Sequence, residues 1–553
     1  MRKISSLLLV FVFTPLLFAQ GFSSLQQRKL DNALSAISNL YVDSINDKKL
    51  VESTLTAILK ELDPHSVYIP KEEVERVNEP LEGSFEGVGI QFQMLEDTLL
   101  VVQTISGCPA AKVGILPGDR IVYIDNEMIA GVKLQPSGVV KRLRGPKGSE
   151  VKVKIIRKGV KELIDFNIIR DKIPLYSVDA NYMIGKEIGY IKINSFGSTT
   201  DEEFKKAFSN LQKKGMKDLI LSLQGNGGGY LNTAIQVADE FLTPGRLIVY
   251  TKGLNQPKTV AESTETGEFE TGKLIVLIDE YSASASEIVS GALQDWDRAI
   301  IVGRRSFGKG LVQRQFPLID GSMMRLTTAR YYTPTGRCIQ KPYKDGIEKY
   351  EHDLVNRYNN GELLHADSIH FPDSLRYQTL NLHRTVYGGG GIMPDIFVPL
   401  DTTRYTDYHR KLVALGIINK VCMQYIDKNR TELKQKYPTF AKYKTEYEVP
   451  DKLLNQLMTV GEKEIAQTDS TYSEKLPKLF LKLNLKPSKE KAQIDSIQFE
   501  TSKPLIKLQL KALIARDLWD TNEYNQILDA DNESLQKAVQ ILQTPGAYEK
   551  ILK

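Results

Sequence analysis

Apolar positions along this chain change their spacing several times, and each change marks a different kind of element. From Ser24 to about Glu79 the apolar residues Leu30, Ala33, Leu34, Ile37 and Leu40 recur at helical spacing, which predicts an N-terminal helical segment over 24–79. Between Leu81 and about Lys172 short alternating runs such as VKVKIIR and LLVVQTI, separated by glycine turns, predict an all-β domain over 81–172. From Ile173 onward strand-like runs (IGYIKI, DLILSL, KLIVLID, RAIIVG) alternate with helix-like ones (EEFKKAFSNLQ, LNTAIQVADEFL), the pattern of an α/β core, assigned here to 173–400. That core carries a polar insert at about 341–384. After Asp401 the chain is rich in Lys, Glu and Leu, and runs such as YHRKLVALGIINKVCMQYIDKNR predict a helical region over 401–553. The fold class is therefore multidomain α+β.

Composition changes this picture little: 41% apolar and 25% charged residues in 553 positions describe a globular chain of about three to four domains. Arg2 and Lys3 precede a mostly apolar run from Ile4 to Phe18, with Ala19 before Gln20. This reads as a signal peptide over 1–19, and predicts an exported, periplasmic protein, membrane-associated if the signal is retained as an anchor. No cysteine follows the run to take a lipid. Removing Arg2 and Lys3 lowers the formal charge from +5 to +3, too mild to argue for nucleic acid. Cys108, Cys338 and Cys422 are odd in number and far apart, so neither a disulfide framework nor a zinc site is expected. His352, His365, His370 and His383 of the insert match no metal-site spacing, and no metal or other cofactor is expected.

The chemistry concentrates in Tyr281–Gln313, YSASASEIVSGALQDWDRAIIVGRRSFGKGLVQ, which contains no histidine. Leu274–Asp279 reads as a buried strand, and Ile288, Val289, Ala292, Leu293 and Trp296 follow at helical spacing. Ser284 would then stand on a strand-to-helix turn, where the Ala285 amide can face a developing oxyanion. A serine needs a neighbouring base, and a lysine kept neutral by burial can serve. Lys309, bracketed by Gly308 and Gly310, is the candidate. Equally, the serines can be read as a plain helix N-cap and Lys309 as a turn lysine. His65 offers a Ser–His variant.

SASASE (Ser282–Glu287), GAL (Gly291–Leu293) and FGKGLVQ (Phe307–Gln313) together resemble the C-terminal processing peptidases, or tail-specific proteases. The resemblance implies Ser284 as nucleophile, Lys309 as general base and Gln313 as its support, on a crotonase-like core. It extends through LDPHSVYIP (Leu62–Pro70), TTARYYTPTGRCIQ (Thr327–Gln340) and GGIMPDIFV (Gly390–Val398). GVGI (Gly87–Ile90) with CPAAKVGILPGDRIVYID (Cys108–Asp125) resembles a PDZ module, which holds an extended peptide as an added strand. Gly87, Val88 and Gly89 would take the peptide's terminal carboxylate, and Ile90, with Phe85 and Phe92 behind it, its last side chain. Arg144, in RLRGPKG, is a loop arginine placed to reach the peptide or the active site. One departure stands out. Where the family reads DLRxNPGG, this chain has SLQGNGGG (Ser222–Gly229), which keeps Gly228 and Gly229 as candidates for the second oxyanion amide but lacks the aspartate and arginine.

The resemblance therefore implies an exported serine endopeptidase that binds flexible, apolar C-terminal tails of proteins and cleaves with a Ser–Lys dyad. The helical regions offer surfaces for a homodimer or an adaptor protein. The alternatives are a non-catalytic, PDZ-bearing envelope adaptor on a decayed core, which SLQGNGGG favours, and a crotonase-type thioester enzyme.

Overall fold

The computed structural model describes residues 22–265, 267–468 and 491–552; the expected signal segment lies outside them. Three helices open the fold: α1 (Ser24–Leu40), α2 (Asp47–Lys60) and α3 (Lys71–Glu82), with the short strand β1 (Val67–Ile69) between the last two. The periodic stripe of α1 is real, but among the described residues it finds no cover: Leu30, Leu34, Ile37 and Leu40 are all exposed.

The β-domain follows. β2 (Ser84–Gly87) pairs with β9 (Asp171–Pro174) where the chain enters and leaves the module. Within it, β3 (Ile90–Leu95), β4 (Thr98–Thr104), β5 (Arg120–Ile124), β6 (Glu127–Met128), β7 (Glu150–Ile156) and β8 (Ile164–Ile169) form one sheet in the order β3-β4-β5-β7-β8, with β6 on β5. Two helices, α4 (Pro109–Val113) and α5 (Pro136–Leu143), complete it. Strict alternation puts Val151, Val153 and Ile155 of β7 inside, against Leu99, Val101 and Ile121. β3 is an edge strand, hydrogen-bonded on one side only.

The core is a six-stranded sheet in the order β10 (Val178–Ile184), β11 (Ile188–Ile193), β12 (Asp218–Ser222), β15 (Leu274–Ile278), β16 (Ile300–Gly303), β21 (Ile396–Phe397), parallel except for β10. The near-continuous apolar runs of β12, β15 and β16 reflect burial on both faces. On one face Leu219, Leu221, Val276 and Ile301 meet α6 (Thr200–Lys213), α7 (Leu231–Asp239) and α8 (Ala285–Asp295) through Phe204, Phe208, Val237, Val289 and Leu293. In a second sheet β18 (Met323–Tyr332) joins β1, β17 (Leu311–Pro317) and β13 (Leu247–Lys252), with β14 (Thr259–Glu262) outside β13. The polar insert forms α9 (Ile347–Glu351), α10 (Asp353–Asn359) and the hairpin β19 (Arg376–Gln378)–β20 (Thr385–Tyr387).

Residues beyond Asp401 divide between two jobs. Helices α11 (Asp407–Ala414), α12 (Ile417–Lys436), α13 (Phe440–Glu446), α14 (Asp451–Thr468) and the helix Lys491–Leu518 share their own apolar core around Leu412, Cys422, Tyr443, Leu457 and Leu510. The last stretch instead returns to the six-stranded sheet. Leu535, Ala538, Ile541 and Leu542 of the helix Glu533–Gln543, with Tyr548, cover its second face over Ile220, Ile275, Leu277 and Ile300. Helical spacing alone could not say which surface this stripe covers. The helical region also touches the β-domain: Arg120 pairs with Asp427 at 2.8 Å, Gln103 donates to the Trp519 carbonyl, and Met423 packs on Leu100 and Val102.

Candidate active site

Two loops at the carboxyl ends of neighbouring parallel strands meet at the site, where such sheets habitually bind ligands. The turn Ser222–Gly229 leaves β12, and the serine run leaves β15. Each small residue of SASASE has a distinct task. Ser282 Oγ donates to the Leu223 carbonyl (2.8 Å) and Ser286 Oγ to the Asn226 carbonyl (2.9 Å), so the outer serines clamp the glycine turn. Asp279, at the end of β15, accepts from Gly225 N–H (3.0 Å) and from the amides of Tyr281 and Ser282. The alanines let the turn come close. A Cβ on Gly228 would lie 2.8 Å from the Ala283 carbonyl oxygen and from Ser284 Cβ, and 2.9 Å from the Ala285 nitrogen, and its φ of +100° suits glycine alone.

Ser284 stands at the N-cap of α8 with φ +55° and ψ −112°, a conformation that costs a non-glycine residue about 1–3 kcal/mol. Neighbours hold it there. Its N–H donates to Glu287 Oε2 (2.8 Å), and the Tyr331 hydroxyl lies 3.1 Å from its carbonyl and against that of Lys309. Glu287 is fully buried and joins the two halves of the site. Its Oε2 also accepts from Lys309 N–H (2.9 Å), while Oε1 accepts from Gly308 N–H (2.7 Å) and Ser306 Oγ (2.5 Å). Burial nevertheless pushes its carboxyl up to about 7, against these four hydrogen bonds.

Lys309 and Ser284 line one cavity of about 460 Å³, with apolar walls at Leu81, Leu231, Ile288 and Leu311. Lys309 Nζ lies 3.1 Å from Gln313 Oε1, and Gln313 Nε2 donates to the His65 carbonyl, which fixes the amide's orientation. Burial and then the nearby Arg325 guanidinium lower the lysine's pKa, outweighing the pull of Glu287 and Asp63. The neutral amine that a general base requires therefore forms at lower pH than in an exposed lysine, and its fraction grows as pH rises. His65 is absent from the cavity wall. Its ring is spent on Tyr350 OH (2.7 Å), and burial drops its pKa to about 4.

The two candidate oxyanion regions differ in availability. Among the described residues the amides of Ala285 and Gly229 donate no hydrogen bond, whereas Gly228 N–H donates to Asn226 Oδ1 (2.8 Å). Gly227, where the resembling motif has proline, has open space around it and no positive φ, so glycine is not demanded there.

In the β-domain, Gly87, Val88 and Gly89 form the loop into β3, and Ile90 opens that edge strand. A Cβ on Gly89 (φ +79°) would meet Cys108 Cβ at 2.5 Å. The Val88 and Gly89 carbonyls accept from Ala110 and Ile105, while their amides donate to nothing among the described residues. Arg144 is turned elsewhere: it pairs with Glu79 of α3 at 2.5 Å and lies over the Phe85 ring. Asp279, Ser282, Ser286, Glu287 and Tyr331 were not legible as site residues. For Glu287 the signal was there, a glutamate three positions after a serine at a helix start. Among the described residues no three His, Cys, Asp or Glu side chains gather as a metal site.

Comparison with known proteins identifies the chain's relatives. The model of peptidase family S41 matches residues 187–349, that of the PDZ domain residues 87–168, and that of a family of unknown function residues 408–488 and 482–520. The carboxy-terminal-processing protease of Bartonella bacilliformis is 39% identical over 57% of this chain and 73% of its own length. The carboxy-terminal processing protease CtpB of Bacillus subtilis is 38% identical over 58% of this chain and 66% of its own. A solved photosystem II D1 C-terminal processing protease is 28% identical, with a TM-score of 0.32, over 56% of this chain and 83% of that one. The glycine-bound serine run, the half-buried lysine and the PDZ sheet thus sit in a chain that belongs to the carboxy-terminal-processing proteases of peptidase family S41, which are serine peptidases.

Proposed function

We propose that this protein is an exported endopeptidase that captures flexible, apolar C-terminal tails on its PDZ domain and cuts the substrate with a Ser284–Lys309 dyad. The observation that carries the reading is the shared cavity: a strained serine at a helix N-cap and a half-buried lysine of lowered pKa line the same space. Neutral Lys309 Nζ takes the hydroxyl proton as Ser284 Oγ attacks the scissile carbonyl. The Ala285 amide and an amide of the glycine turn receive the oxyanion. Gly229 is the readier second donor, and Gly228 serves once Asn226 releases it. As the C–N bond breaks, protonated Lys309 returns its proton to the leaving amine, and water then releases the acyl group from Ser284. Gln313 keeps the lysine aimed throughout.

Tail capture is supported by the free edge of β3 and the unpaired Val88 and Gly89 amides at its head. The exposed stripe of α1 suits a homodimer or an adaptor contact. Export, to a periplasm, rests on residues 1–19. Against the adaptor reading stands the changed turn itself, which is held by hydrogen bonds to Leu223 and Gln224.

A tail test checks this function. An unstructured polypeptide ending in apolar residues is expected to be cleaved at least tenfold faster than the same chain with an amidated or acidic end. Equal rates for all three ends would contradict the PDZ role.

A further inference from the structure

The turn that carries Gly228 and Gly229 is held on its inner side by Ser282, Ser286 and Asp279, and on its outer side by the far end of the chain. Asn532 Nδ2 donates to Gln224 Oε1 at 2.7 Å. Asn532 is itself firmly placed. Its Oδ1 caps the helix Glu533–Gln543 by accepting from Leu535 N–H (3.1 Å), and that helix is bedded on the core sheet by Leu535, Ala538 and Ile541. Two of the three residues before it are anchored too: Asp529 accepts from Tyr182 OH (2.8 Å) and Asp531 pairs with Arg404 (2.8 Å). Within the turn, Ser222 and Gln224 carry no charge where the resembling motif has an aspartate and an arginine. The Ser222 hydroxyl is buried. Gln224 is therefore the turn's side-chain link to an element more than three hundred residues away in sequence.

We propose that Asn532, acting through Gln224, is a positioning residue for the oxyanion turn, so that the C-terminal end of the chain helps set the catalytic rate without touching substrate. The inference rests on the Ser284–Lys309 peptidase reading. Small displacements of an oxyanion donor are costly, because its stabilisation depends on distance to an atom that exists only in the transition state.

The test compares the full chain with Asn532→Ser, Gln224→Leu and the double variant. Serine caps a helix about as well as asparagine but is too short to reach Gln224, so the cap and the brace are separated. Each single variant is expected to lower kcat about tenfold with KM and Tm unchanged. The double should fall no further than the singles, as for two ends of one interaction. Amide hydrogen exchange across residues 222–229 should rise in all three variants. Wild-type kcat in both singles, or losses that multiply in the double, would overturn the brace. If the parent chain cuts no polypeptide, the peptidase reading fails, and exchange alone decides the brace: unchanged exchange at 222–229 in Asn532→Ser overturns it.

Discussion

Lys309→Met lowers polypeptide cleavage by about 10⁴-fold or more, the scale seen when a nucleophile loses its base, and leaves tail binding intact. Methionine fills much of the lysine's volume and has no basic atom, so the cavity wall is kept while proton transfer from Ser284 stops. Lys309→Arg should be nearly as inactive. A guanidinium stays protonated across the working range and cannot accept the serine proton. That second variant separates basicity from positive charge, since a lysine needed only as a cation would tolerate arginine. Substrate turnover by mass spectrometry, beside tail binding by calorimetry, reads both quantities. Arginine retaining more than a tenth of the parent rate would contradict a neutral-lysine base.

Glu287→Gln is the second large effect, and it acts on stability and rate together. The carboxylate accepts from Ser284 and Lys309 amides on one oxygen, and from Gly308 N–H and Ser306 Oγ on the other. A glutamine amide nitrogen must face one of those donor pairs, leaving two buried donors unsatisfied at about 1–3 kcal/mol each. The expected outcome is a Tm loss of several degrees and a kcat reduced about 10²-fold, because the nucleophile and the base lose their common anchor. The pH dependence has a definite sign. The folded carboxyl titrates near 7, above its unfolded value. Its contribution to stability is therefore complete below the ordinary glutamate range and is lost as pH rises through 7. Glutamine does not titrate, so the stability gap between parent and variant narrows from pH 5 to pH 8. A gap that widens over that range would refute the buried-acid account.

Much of the site was legible because its chemistry sits in contiguous sequence. An apolar strand, a run of small residues, a helical stripe and a glycine-flanked lysine occupy Leu274–Gln313, and the structure brings Ser284, Lys309 and Gln313 to one cavity. The β character of the second domain followed from strict alternation, as in Val151, Val153 and Ile155, and its PDZ likeness from the resemblance of GVGI and CPAAKVGILPGDRIVYID. Residues that act through backbone atoms were harder to see. Ser282 and Ser286 grip carbonyls of a turn that lies about sixty positions earlier, and no spacing rule connects them. Glu287 reads as a helix-cap partner until its second oxygen is found on Gly308. Arg144 looked available because a loop arginine reveals nothing of the Glu79 carboxylate that takes it. The helical region beyond Asp401 was visible as helices, but amphipathic spacing marks a face and not its destination. Only the fold shows Leu535 and Ile541 closing the peptidase sheet and Asn532 reaching Gln224.

The most direct measurement is the site and pH dependence of labelling by a serine-reactive fluorophosphonate, followed by intact mass and peptide mapping. A single adduct on Ser284, formed faster as pH rises from 6 to 9 and lost in Lys309→Met, is the predicted result. An adduct on Ser282 or Ser286, or a Ser284 rate unchanged in Lys309→Met, would contradict the dyad.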